Sequence, residues 1–234
     1  VKKSITDKVK NIEKTANNET ISTPKIEPKI INNIEDLNVF FEKLMNFKDA
    51  KEPVAIDTET TNLNPFKAEL VGLGFCFGNT LKDIVYIPIG HKEEESLIKG
   101  EQIVQLKIEE VLNSLQKWFS SGSHPKSLQN TKYDRLILLR HGIILNGVIL
   151  DTLLADYISD ATLKHSLEDI SYREFGFKPT SFSDIVKKGE DFSSVEIKTA
   201  SIYCGMDVYL TRKLAITYIK RLKDKSQKLT KLLI

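Results

Sequence analysis

The chain has 234 residues, 41% hydrophobic and 28% charged, which supports one substantial core domain plus a tail. No apolar run approaches the roughly 20 residues of a membrane span, and no apolar signal-peptide stretch follows Val1-Lys2-Lys3-Ser4. Only Cys76 and Cys204 are present, too few for a disulfide framework or a site built from thiolates, so a reducing cytoplasm and a monomeric, membrane-free protein are expected. The net charge of +2 conceals an asymmetry: residues 1–32 carry +3, residues 212–234 carry +7, and the body between them carries −8.

Residues 1–32 are rich in Lys, Asn, Thr and Pro with few large apolar groups, a composition that predicts a linker or N-terminal extension. A weak helical pattern at Ile5, Val9 and Ile12 is its main local signal, and Val rather than Met at position 1 suggests an excerpt of a longer chain. From Asn33, a plausible N-cap, apolar residues recur at helical spacing from Ile34 through Leu44. Three strands are then expected at about 53–59, 69–77 and 83–89, joined by short polar connections. Gln102 to Phe119 reads as an amphipathic helix and Ser127-Leu128-Gln129 as a short strand. The remainder reads mostly as helices, the last from roughly Ser194 to Leu233. This order predicts an α/β fold, a mixed sheet flanked by helices with a mostly helical C-terminal half.

Chemistry concentrates in three strings. In Pro53-Val54-Ala55-Ile56-Asp57-Thr58-Glu59, a buried-strand pattern, alternation puts Asp57 and Glu59 on one face two residues apart. Two carboxylates side by side repel and resist desolvation unless cations neutralise them. Mg²⁺ suits such a place, because it binds through a few carboxylates plus phosphate and retained waters. In Tyr203-Cys204-Gly205-Met206-Asp207 the tyrosine and aspartate are an i, i+4 pair on one side of a helix. Asn130-Thr131-Lys132-Tyr133-Asp134 is the third string. Taken singly these residues have structural readings: Asp134 is a first-turn helix acid, Tyr203 a core tyrosine, and Leu63 and Phe182 core apolar groups. Asp151 and Asp156 are read as structural, and the C-terminal Lys/Arg run as a solvated helix face or interdomain connection and not a DNA site.

Together the strings resemble the proofreading 3′→5′ exonuclease domain of bacterial DNA polymerase I, of the DEDD class with a ribonuclease H-like fold. The likeness runs from about Asn33 to the C-terminus and includes Leu70-Val71-Gly72-Leu73, Tyr86-Ile87-Pro88-Ile89 and Leu150-Asp151-Thr152-Leu153. The resemblance implies an exonuclease domain over 33–234, with Asp57, Glu59, Asp134 and Asp207 as ligands for two divalent cations, Mg²⁺ or Mn²⁺. Asp57 would bridge both ions, with Glu59 and Asp207 completing one site and Asp134 holding the second ion. Tyr203 falls four before the last Asp and Ile202 five before it, which is the tyrosine subclass, so His91, His124, His141 and His165 are not needed for catalysis.

The resemblance further implies that Leu63 and Phe182 pack on the terminal bases, and Gln129, Asn130 and Tyr133 join them as expected substrate-binding residues. One departure is visible: relatives often carry an arginine where this chain reads Ala161-Thr162-Leu163-Lys164-His165-Ser166-Leu167, leaving Lys164 for phosphate contact. The implied substrate is a single-stranded or frayed DNA 3′ end, and the implied partner a polymerase domain linked at the C-terminus. An acidic body makes phosphate attraction depend on the ions and on local Lys/Arg. The alternatives are a stand-alone exoribonuclease of the same class and a non-catalytic DNA-positioning domain.

Overall fold

The computed structural model describes residues 23–92 and 104–225. Its centre is a six-stranded sheet in the order β1-β4-β3-β2-β5-β6. The strands are β1 (Lys29–Ile30), β2 (Val54–Thr60), β3 (Leu70–Cys76), β4 (Ile84–Pro88), β5 (Lys126–Leu128) and β6 (Val148–Asp151). β2, β3 and β4, the three expected strands with short connections, form an antiparallel meander. β5 and β6 extend β2 in parallel, and β1 adds to β4 in parallel. The helices are α1 (Ile34–Leu44), α2 (Ile108–Phe119), α3 (Thr131–Arg140), α4 (Thr152–Ser159), α5 (Leu167–Phe175), α6 (Phe182–Ile185) and α7 (Ile197–Lys225). None of the described helices is long and apolar enough to cross a membrane.

Alternation along the central strands separates two jobs. Val54 and Ile56 of β2 and Leu73 and Phe75 of β3 enter one core with Phe40 of α1 and Trp118 and Phe119 of α2. Phe75 meets Phe40 and Trp118 edge-on, at centroid distances of 5.1 Å and 5.9 Å. On the other face Ala55 packs with Met206, Val208 and Leu210 of α7. Close approach of that helix requires Gly74, because an added Cβ would fall 2.4 Å from Cys204 Sγ. Asp57 and Glu59 therefore face a helix that lies against the strand carrying them.

Four expectations change. The ordered fold starts before residue 33: Ile26 and Ile31 are buried, β1 lies inside the segment read as a linker, and Ile31 N donates to Tyr86 O at 2.9 Å. A two-residue strand has no periodicity to read; its stability comes from pairing with β4. The pattern at Ile5, Val9 and Ile12 lies outside the described residues. α2 begins at Ile108 and not Gln102, and α7 at Ile197, preceded by a 3₁₀ turn at Phe192–Ser194. Glu196 sets that start by accepting from Thr199 N at 2.8 Å and Lys198 N at 3.0 Å. β6 was not expected as a strand, although it holds the quoted Leu150-Asp151. Finally Arg212, the first residue of the basic run, is 2% exposed and donates to Gly78 O at 2.9 Å and to Pro53 O, tying α7 to the strand ends.

Candidate active site

Three elements bring the acids together. β2 contributes Asp57 and Glu59, the first turn of α3 contributes Asp134, and α7 contributes Asp207. Asp134 Oδ1 accepts from Thr58 N at 3.2 Å and Thr58 Oγ1 at 2.7 Å, so the residue between the paired acids fixes the third. The start of α3 is itself set by Asn130, whose left-handed backbone (φ 64°) redirects the chain after β5. Its cap comes from outside the helix: Asp151 Oδ2 accepts from Thr131 N at 2.8 Å, while Asp151 Oδ1 accepts from Asn130 N at 3.3 Å and caps α4 through Leu154 N. Asp151 is thus structural, as expected, and so is Asp156, which accepts from Tyr218, His165 and Arg173.

The carboxylates oppose one another's ionisation. Burial and then Asp207 push the Asp57 carboxyl well above the usual range, against the pull of the Thr58 amide. Glu59 is raised by burial, Asp57 and Asp207, and Asp134 by burial and Asp57. Asp207 is raised by burial to about 7, with the Tyr203 hydroxyl donating to it and restraining the shift. Burial and these carboxylates raise the Tyr203 phenol, which stays protonated at neutral pH. Glu59 is 7% exposed, and its Oε1 is buried without a hydrogen-bond partner. An orphaned buried oxygen among mutually repelling carboxylates fits a cation, and carboxylate oxygens suit a hard divalent ion.

The expected substrate residues separate into two groups. Leu63 is 95% exposed on the loop after β2, and Phe182 is half exposed. Phe182 stacks on buried Phe192 at 6.3 Å and 24°, and Phe192 meets the Tyr203 ring at 5.9 Å. Tyr133 OH donates to Asn62 O at 2.5 Å and bonds Thr60, so it steadies the loop that carries Leu63. Asn130 keeps an exposed side chain. Gln129 is held in place, its amide donating to His165 O at 3.0 Å and accepting from Thr152 Oγ1. Lys164 is exposed, and Arg173 donates to its carbonyl at 2.7 Å. Two residues near the acids escaped the sequence reading. Phe192 has no motif to mark it, and Cys204, quoted in the third string without a role, has its Sγ within a group in which it and carboxylate oxygens of Asp57 and Glu59 lie within 4.8 Å of one another.

With this geometry in hand, comparison with known proteins decides the family. A family model described as 3′-5′ exonuclease matches residues 28–223. The chain belongs to this exonuclease family. Its model begins before residue 33, in agreement with the ordered β1. DNA polymerase I of Synechocystis is 39% identical over 206 residues, which is 87% of this chain and 20% of that protein. The chain spans about a fifth of the length of the curated relatives it matches. Among solved structures, Trypanosoma brucei RNase D in complex with RNA U12 is 14% identical with a TM-score of 0.65, covering 86% of this chain and 64% of that one. Brucella melitensis NrnC is 18% identical with a TM-score of 0.59, covering 89% and 87%. At such identities the likeness shows the fold, which the exonuclease domain shares with these ribonuclease H-like nucleases.

Proposed function

We propose that the exonuclease domain hydrolyses the terminal phosphodiester at the 3′ end of single-stranded or frayed DNA and releases 5′-mononucleotides, editing the product of a polymerase module that follows it. The observation that carries this reading is the set of four carboxylates from β2, α3 and α7, raised by their mutual burial and holding an orphaned Glu59 oxygen. The closeness to DNA polymerase I supports DNA as substrate and a C-terminal polymerase as the linked partner.

Asp57, Glu59 and Asp207 would hold one divalent ion, and Asp57 with Asp134 a second. Mg²⁺ or Mn²⁺ bound there supplies an activated water and stabilises charge on the departing 3′ oxygen. Tyr203 orients that water: its phenol donates to Asp207 and keeps its lone pairs for the water, and a protonated phenol of raised pKa is no base. Leu63 and Phe182 offer apolar and aromatic surface to the faces of terminal bases, which is a sequence-tolerant contact suited to unpaired ends. Phe182 reaches the water-orienting phenol through Phe192, so base seating and water placement share one run of contacting rings.

RNA is the second reading, favoured by the fold shared with RNase D in its complex with RNA U12. Matched DNA and RNA strands of one sequence, incubated with the chain and Mg²⁺, separate the two. The proposal expects faster release of deoxynucleoside monophosphates, and preferential loss of the RNA strand would overturn the DNA assignment.

A further inference from the structure

Cys204 occupies an unusual place for a core cysteine. It is fully buried on α7, one residue after Tyr203, with its Sγ against Gly74 of β3. Its Sγ, one oxygen of Asp57 and one of Glu59 lie within 4.8 Å of one another. Around a tetrahedral ion with bonds of about 2.0–2.3 Å neighbouring ligand atoms stand ~3.3–3.8 Å apart, so the three side chains would draw together by about an ångström to share one ion. The second observation is Glu59 Oε1, buried and unpartnered in the same cluster. The Cys204 thiol hydrogen-bonds the Glu59 carboxylate, whereas the Cys76 thiol donates to Gly78 O at 3.7 Å and belongs to no such cluster among the described residues.

We propose that Asp57, Glu59 and Cys204 form a mixed carboxylate–thiolate site that takes a thiophilic divalent ion such as Zn²⁺ or Cd²⁺. The proposal rests on the carboxylate pair being a cation site, as read above, and adds sulfur to it. Mg²⁺ prefers oxygen and leaves the thiol protonated, whereas a thiophilic ion binds sulfur and releases the thiol proton to solvent. The same place then holds two classes of ion differently. A hard ion would rest on carboxylates alone, and a soft ion would add the Cys204 sulfur of α7 to them.

The test titrates the metal-free 234-residue chain with CdCl₂ and, separately, with MnCl₂, following ultraviolet absorption and calorimetry. The wild type should develop a sulfur-to-cadmium charge-transfer band and bind Cd²⁺ more tightly than Mn²⁺. Cys204→Ser and Cys204→Ala should lose the band and roughly tenfold or more of Cd²⁺ affinity while still binding Mn²⁺. Cys76→Ser should keep the band, which assigns it to Cys204 even if neither Cys204 variant folds. Mn²⁺ binding without a cadmium band in the wild type overturns the role of Cys204 and leaves the carboxylate site standing. Binding of neither ion overturns both readings. A band that disappears in Cys76→Ser overturns the assignment to Cys204.

Discussion

Asp207→Asn should stabilise the metal-free protein above neutral pH, although most substitutions of well-packed residues destabilise. Asp207 is raised to about 7 in the fold by burial, against 3.8 for an ordinary aspartate. The sign follows from proton counts. Between those values the folded chain holds a proton that the unfolded chain has released, so stability is undiminished below pH ~4, falls as pH rises towards about 7, and is flat above. Each pKa unit corresponds to ~1.4 kcal/mol, giving a penalty of at most about 4 kcal/mol at pH 8. Asparagine has no charge to bury and keeps an oxygen for the Tyr203 hydroxyl, so the variant should recover roughly 1–4 kcal/mol at pH 8 and almost nothing at pH 4. For a chain of this size that is a Tm rise of about 2–16 °C. Thermal melts in EDTA at both pH values measure it. Saturating Mn²⁺ should stabilise the wild type by ~2.7 kcal/mol at a hundredfold excess over Kd, and Asp207→Asn should lose most of that gain. A variant less stable than wild type at both pH values, with its full metal response intact, would refute the reasoning.

Three further outcomes are expected. Asp57→Ala removes the ligand assigned to both ions and should lower the Mg²⁺-dependent rate about a hundredfold or more, ~2.7 kcal/mol in the barrier, without unfolding the chain; retention of more than about a tenth of the rate counts against it. Tyr203→Phe should be milder, because the acids remain and only the orientation of water is lost; a loss equal to that of Asp57→Ala, measured in the same single-turnover assay, would give the phenol a larger role. Leu63→Ala and Phe182→Ala should slow removal from a duplex end more than from a single strand, since their surfaces hold a frayed end open, and equal losses on both substrates would make them packing residues.

The legible part of the site was the part built from local pattern. Alternation in 53–59 was enough to put Asp57 and Glu59 on one face, and helical spacing was enough to pair Tyr203 with Asp207, because each relation is confined to one element. The missed features depend on distant partners. β1 exists because β4 offers it an edge, Asp151 caps a helix that begins twenty residues before it, and the Gln129 amide is consumed by Thr152 and the His165 carbonyl. Cys204 carries no role in its string for a related reason: a lone thiol shows no partner until the fold sets carboxylates beside it. Arg212 shows the converse, a charge assigned to solvent by its neighbours in sequence and buried by the carbonyls it meets in space.

The central claim is that these four acids make a metal-dependent nuclease acting from the 3′ end. A single-stranded DNA oligonucleotide labelled at its 5′ end, incubated with the wild-type chain and sampled over time with Mg²⁺ or with EDTA, tests it most directly. The account predicts a ladder that shortens one nucleotide at a time with Mg²⁺, releases unlabelled 5′-mononucleotides and stops in EDTA. Immediate release of the labelled terminal nucleotide, or the same ladder in EDTA, would contradict it.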